Sequence, residues 1–167
     1  MTASLSVAPC RPSDALPKIR VLHPGDVACG ESGDRLETLL GSCVAIVLAD
    51  PRRTFGAMCH FVHSKAPAPS LPASGAYAAT ALQAMYALLR ARGLNPWYCE
   101  AWVFGGGNMF PALVQQRHVG DDNVRWAFDA LTADGIPVVA FNVGGSAYRR
   151  LGWTVGTGDP GVVTVPV

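Results

Sequence analysis

The sequence predicts a single α+β domain, in which mixed strands form a layered core and two main helices pack outside. Three observations carry this. Most apolar runs are short, rich in Val, Ile or Phe, and bounded by Gly, Pro or Asp, the pattern of buried strands. Two stretches, Tyr77 to Arg92 and Asn123 to Asp134, instead repeat their apolar residues at helical spacing. The 167 residues show no internal repeat or second domain, and a chain of that length buries a sizeable core.

Taken in order, residues 1–18 are expected to be a disordered tail, with Pro9, Pro12 and Pro17 among Ser and Ala, and the folded domain spans 19–167. A first strand starts at Ile19-Arg20-Val21-Leu22, His23-Pro24-Gly25-Asp26 forms a turn, and Val27 to Cys29 is a short strand. Glu31 to Asp34 is a polar loop leading into Leu36-Glu37-Thr38. His63 to Ser74 contains Pro67, Pro69 and Pro72, too many for a regular element, so it is an irregular loop that covers or flanks whatever lies at His60. The first helix follows, with Ser74 as its N-cap and Gly93 as its stop. Trp97 to Phe104 is a buried strand running into Gly105-Gly106-Gly107, and a short helix is expected from Met109 to Val114. Asp121 or Asp122 caps the second helix, and Gly135 ends it. Ile136 to Asn142 is a strand, and Trp153 to Val155 pairs with Val162 to Val165 as a closing hairpin.

Composition narrows the function classes. Half the residues are hydrophobic and 15% are charged, which argues against disorder. A net charge of +1 with no basic run gives no electrostatic support for nucleic-acid binding. No uninterrupted apolar stretch approaches the ~20 residues of a membrane span, and no basic-then-apolar leader opens the chain. The five cysteines, Cys10, Cys29, Cys43, Cys59 and Cys99, are odd in number and scattered, which suits a reducing cytoplasm better than a disulfide framework.

The run from Thr38 to Leu48 organises the rest. Its apolar end reads as a buried strand, and Gly41-Ser42 gives it a flexible entrance with Cys43 at the bend. A second strand runs from Phe55 to Val62. Asp50-Pro51-Arg52-Arg53 between them favours a type I turn, since Pro fixes φ and Asp hydrogen-bonds onward. A hairpin centred between Pro51 and Arg52 sets Cys43 opposite His60, close enough for thiol and imidazole to meet. A one-residue slip would turn His60 away. Such a pair is a nucleophile and its base; the plainer reading is a small core Cys and a satisfied His. Metal binding by Cys43, Cys59, His60 and His63 is the rival chemistry, but Cys59 and His60 are adjacent and face opposite ways on a strand.

Leu40-Gly41-Ser42-Cys43-Val44-Ala45, Asp50-Pro51, Gly56-Ala57-Met58 and His60-Phe61 together resemble the CheD family of chemoreceptor glutamine deamidases. The likeness continues through Ala76-Tyr77-Ala78, Gly105-Gly106-Gly107-Asn108-Met109-Phe110 and Val119-Gly120 with Asn123. It ends with Asp134 to Pro137 and Gly144-Gly145 with Arg149-Arg150. Each motif alone is weak; the ordered set, from about Val21 onward, is specific.

The resemblance implies a cytoplasmic enzyme that converts glutamine side chains on chemoreceptor cytoplasmic helices to glutamate, with glutamate methyl esters as a further substrate. It implies Cys43 as nucleophile, His60 as acid and base, and a threonine before the Cys that orients the imidazole. Thr38 is the candidate for that role; the family's spacing falls on Glu37, so the choice between the two stays open. Ser42 and Gly105, Gly106 and Gly107 are the candidate substrate-binding or oxyanion positions. No metal or organic cofactor is implied. The implied partners are the receptor helices and, in some bacteria, a CheC-type phosphatase, so a non-catalytic module binding either one is the alternative. Neither nucleic acid nor membrane insertion belongs to this picture.

Overall fold

A computed structural model of the chain describes residues 16–167. Cys10 and nearly all of the expected N-terminal tail lie outside the described residues.

Among the described residues, nine strands and two α-helices build three layers. The strands are β1 (Ile19–Leu22), β2 (Val27–Glu31), β3 (Arg35–Leu40), β4 (Val44–Ala49), β5 (Phe55–Phe61), β6 (Glu100–Gly105), β7 (Val138–Val143), β8 (Ala147–Thr154) and β9 (Gly161–Pro166); the helices are α1 (Ala78–Ala91) and α2 (Val119–Ala133). A five-stranded sheet has the order β2-β5-β4-β6-β7, and a four-stranded sheet the order β1-β3-β8-β9. Both are mixed: β1–β3 and β6–β7 are parallel, and the other pairs antiparallel.

Strand alternation explains the layering. On one face of the five-stranded sheet, Val44, Ile46, Leu48, Ala57, Cys59, Phe61, Ala101 and Val103 meet the apolar sides of α1 and α2. On the other face, Ala45, Val47, Ala49, Met58, Trp102 and Phe104 meet Leu36, Leu40, Leu151 and Trp153 of the four-stranded sheet. β4 and β5 are buried on both faces, so their sequences read as continuous apolar runs rather than alternating ones. The α+β, layered, helices-outside architecture is the expected one, with both helices on the same face.

The bend expected at Cys43 is present, running through Gly41, Ser42 and Cys43; what the structure adds is that β3 before it and β4 after it belong to different sheets. Several local expectations need correction. Ser74 does not cap α1; its hydroxyl accepts from Ala76 N within the preceding turn, and Tyr77 stands at the cap without a side-chain bond. α2 starts earlier than expected because His118 is its cap. The His118 Nδ1 accepts from Gly120 N, while Asp121 accepts from His118 N. The segment after the glycine triplet makes only a turn closed by Leu113 N and Val114 N on Phe110 O, not a helix.

Candidate active site

The hairpin forms, with a different register. Arg53 N closes the expected turn on Asp50 O at 2.9 Å. Arg53 then adopts a left-handed conformation at φ 55°, and the five residues Asp50 to Thr54 separate the strands, a longer connection than a two-residue turn. Ala45, not Cys43, therefore stands opposite His60. The correction is a shift of two residues along the strand, and a shift of two preserves the face. Cys43 and His60 remain on the same side of the five-stranded sheet, diagonal to one another. Cys43 packs, half-buried, with the cluster between the two sheets.

His60 is 2% exposed and points at the four-stranded sheet. There its Nδ1 lies 2.8 Å from Thr38 Oγ1. The Thr38 hydroxyl has one proton, and it donates this to Leu22 O at 2.8 Å. Toward His60 it therefore accepts, which places the ring proton on Nδ1 and leaves a lone pair on Nε2. The Nε2 is buried with no hydrogen-bond partner. Glu37, one residue earlier, faces the opposite side and ion-pairs with Arg35. Of the two alternatives for a group on the imidazole, the geometry brings Thr38.

Burial lowers the His60 pKa from the ordinary 6.5, opposed in part by the nearby Asp26 carboxylate, so the ring is neutral at pH 7. Burial also raises the Cys43 pKa, opposed by its own backbone N–H. The resting pair is thus a thiol and a neutral imidazole. Cys59 lies in the helix-side cluster, on the opposite face from His60, so the rival ligand set is split between two layers. Among the described residues no three metal-ligating side chains converge.

The family model described as CheD chemotactic sensory transduction matches residues 63–164, more than half of the chain. This chain belongs to the CheD family. The "Probable chemoreceptor glutamine deamidase CheD 3" of Dechloromonas aromatica (strain RCB) is 37% identical over 141 residues, 83% of this chain and 82% of the relative. The "Probable chemoreceptor glutamine deamidase CheD 2" of Albidiferax ferrireducens is 34% identical over 142 residues, 83% of this chain and 82% of the relative. The "Probable chemoreceptor glutamine deamidase CheD" of Pseudomonas syringae pv. syringae is 36% identical over 134 residues, 78% of this chain and 76% of the relative.

In this CheD chain the glycine triplet docks against the bend from Gly41 to Cys43. Gly106 N donates to Cys43 O at 2.8 Å and Gly107 N to Gly41 O at 2.9 Å. A Cβ on Gly105, whose φ is 112°, would stand 2.1 Å from Cys43 O, so only glycine lets the two backbones approach. The N–H groups of Gly106 and Gly107 are thereby committed to shaping the loop. Ser42 is tied from behind, its carbonyl accepting from Asn123 Nδ2 at 3.3 Å.

Sequence reasoning placed Asn123 in a motif but not in the site. A signal was present: Asn123, Ala127 and Leu131 recur at four-residue spacing, so a polar residue sits in the buried stripe of α2. Two clefts stand out among the described residues, and neither contains Cys43. One of about 630 Å³, lined by Lys18, Arg20, Glu31, Asp34 and Arg92 among others, lies beside Phe55, at the opposite end of β5 from His60. The other, about 290 Å³, lies between Ser64, Lys65 and the charged side of α2. No helix of the described residues is long and apolar enough to cross a membrane.

Proposed function

We propose that this CheD protein is a cytoplasmic amidohydrolase that converts glutamines on the cytoplasmic helices of chemoreceptors to glutamate. Cys43 is its nucleophile, His60 its acid and base, and Thr38 the group that orients His60. The observation carrying this is the free Nε2 of His60, whose lone pair is set by the Thr38 bond and sits on the face that Cys43 shares. Diagonal residues across an antiparallel pair have Cα atoms ~7–8 Å apart with Cβ atoms closer, within reach of an imidazole and a thiol. The names of the relatives, each a chemoreceptor glutamine deamidase, point to the same chemistry.

The steps balance as follows. His60 Nε2 takes the Cys43 thiol proton as sulfur attacks the carboxamide carbon, giving a tetrahedral oxyanion. That intermediate collapses, the C–N bond breaks, and the imidazolium returns its proton to the departing ammonia. Water then attacks the thioester, giving a proton to Nε2. Breaking the C–S bond releases glutamate, and the proton goes back to the sulfur. A methyl ester enters the same path with methanol as leaving group. The half-buried Cys43, outside both prominent clefts, suits an amide presented on a protein surface better than a small molecule needing an enclosing pocket.

Mass spectrometry of a receptor cytoplasmic fragment incubated with the protein tests this reading. The expected result is the amide-to-acid mass gain at particular glutamines, lost in Cys43→Ala. Receptor binding without any mass change would favour the non-catalytic module instead. Binding to a CheC-type phosphatase rests on the resemblance alone, and titration of the purified pair tests it.

A further inference from the structure

Asn123 holds both arms of the site from the helix side. It is fully buried in α2, and its Nδ2 donates to Ser42 O at 3.3 Å and to Val62 O at 2.8 Å. Its Oδ1 is buried without a partner. A flip of the amide would not relieve that oxygen, because it would then face two carbonyl oxygens. An apolar side chain would avoid a buried, unpaired acceptor, so what position 123 retains is the forked donor.

The fork has a stereochemical consequence. Ser42 C=O and Cys43 N–H belong to one planar trans peptide, so they point in opposite directions. Asn123 approaches from the layer of α2 and draws Ser42 O that way. Cys43 N–H is thereby turned toward the space between the sheets, where the Cys43 side chain packs. None of the loop hydrogen bonds among the described residues uses the Cys43 N–H, whereas Gly106 and Gly107 N–H are occupied. The effect of this N–H on its own thiol is consistent with that direction. The second arm of the fork holds Val62, two residues beyond His60, so donor and base are tied to the same amide.

We propose that Asn123 is a positioning residue for the oxyanion: by gripping Ser42 O it fixes Cys43 N–H as a donor to the oxygen of the attacked carbonyl. This rests on Cys43 being the nucleophile of an acyl-transfer reaction.

The test separates acyl transfer, which forms an oxyanion, from alkylation, which does not. Full-length wild type, Asn123→Ala, Asn123→Leu and Leu131→Ala are each reacted with p-nitrophenyl acetate and, separately, with iodoacetamide. Cys43 modification is followed by mass spectrometry, with Cys43→Ala as background. The Leu variant keeps the side-chain volume, melting temperature checks folding, and Leu131→Ala supplies a destabilised α2 without touching Ser42. Acylation of Cys43 is expected to fall about tenfold or more in both Asn123 variants, while alkylation stays within about twofold of wild type. Leu131→Ala should leave the ratio of the two rates unchanged. The proposal is overturned if both rates fall together, if neither falls, if Leu131→Ala reproduces the split, or if wild-type Cys43 alkylates but does not acylate. Receptor deamidation is scored separately. A protein that shows the split yet leaves receptor glutamines intact refutes the substrate assignment and upholds the role of Asn123.

Discussion

Thr38 Oγ1 and His60 Nδ1 stand 2.8 Å apart although their strands belong to different sheets. Thr38→Val keeps the shape and removes the hydroxyl, taking away the acceptor 2.8 Å from Nδ1 and one donor to Leu22 O. We expect receptor deamidation to lose about 10- to 100-fold in kcat with KM nearly unchanged, and stability to fall by about 1–3 kcal/mol in a urea titration. Thr38→Ser should recover most of the rate, and Glu37→Gln should leave it near wild type.

The neutral state of His60 sets the pH profile. Its folded pKa lies below 6.5 because burial disfavours the charged ring. The kcat/KM profile should therefore rise through an acid limb whose midpoint is lower than 6.5, as the base becomes unprotonated. Folding stability has a matching dependence. Below 6.5 the unfolded chain takes up the proton more readily than the folded one, so stability is full above that value and declines as pH falls toward the folded pKa. A flat rate profile across this window would remove His60 from the base role.

Thiol reactivity should separate Cys43 from Cys59 and Cys99. Burial pushes the Cys59 thiol up to about 12 and the Cys99 thiol up to about 11, and both side chains are inside the core. At pH 8 the native protein should take up iodoacetamide at Cys43 well before Cys59 or Cys99, and only denaturant should open those two. Peptide mapping over time gives the order.

Gly105→Ala should uncouple the glycine triplet from the bend that carries Cys43. The added methyl would meet Cys43 O at 2.1 Å at a φ of 112°, and the carbonyl is backbone that cannot swing away. The expected cost is about 1–3 kcal/mol or more, with activity falling further than stability because Cys43 itself is displaced. Thermal melts beside rate measurements distinguish the two losses.

Asp50→Ala should loosen the turn that sets the hairpin register. The buried carboxylate accepts from Thr54 N at 2.7 Å, Phe55 N at 2.8 Å and Thr54 Oγ1 at 2.9 Å. Removing it takes the acceptor from three donors, of which the Phe55 N–H is buried, and a loss of about 1–3 kcal/mol is expected in a urea titration. Asp50→Asn, which keeps one acceptor oxygen, should lose less.

The layers were legible because burial leaves a direct mark on β4, β5 and the two helices. Asp50-Pro51 announced the turn, but nothing at Arg53 signals a left-handed residue, as a glycine there would have done, so the register came out two residues short. Cys43 and His60 stay on one face despite that shift because the side-chain period of a strand is also two. The division of Thr38 to Leu48 between sheets was hidden, since an apolar run states that it is buried and not which neighbour it joins. The sequence puts Thr38 first but leaves Glu37 open, and the faces of β3 separate the two: Thr38 turns inward, and Glu37 outward to Arg35. His118 was missed as a cap because histidine is not among the residues that usually serve there.

The bend at Gly41, Ser42 and Cys43 carries the chain from the four-stranded sheet into the five-stranded one. The sulfur and the imidazole thus ride on one slab, while the hydroxyl that aims the imidazole rides on the other. A small shear between slabs would misalign the ring without breaking a ladder. Mild denaturant or pressure should therefore silence turnover while far-ultraviolet circular dichroism still reports an intact fold.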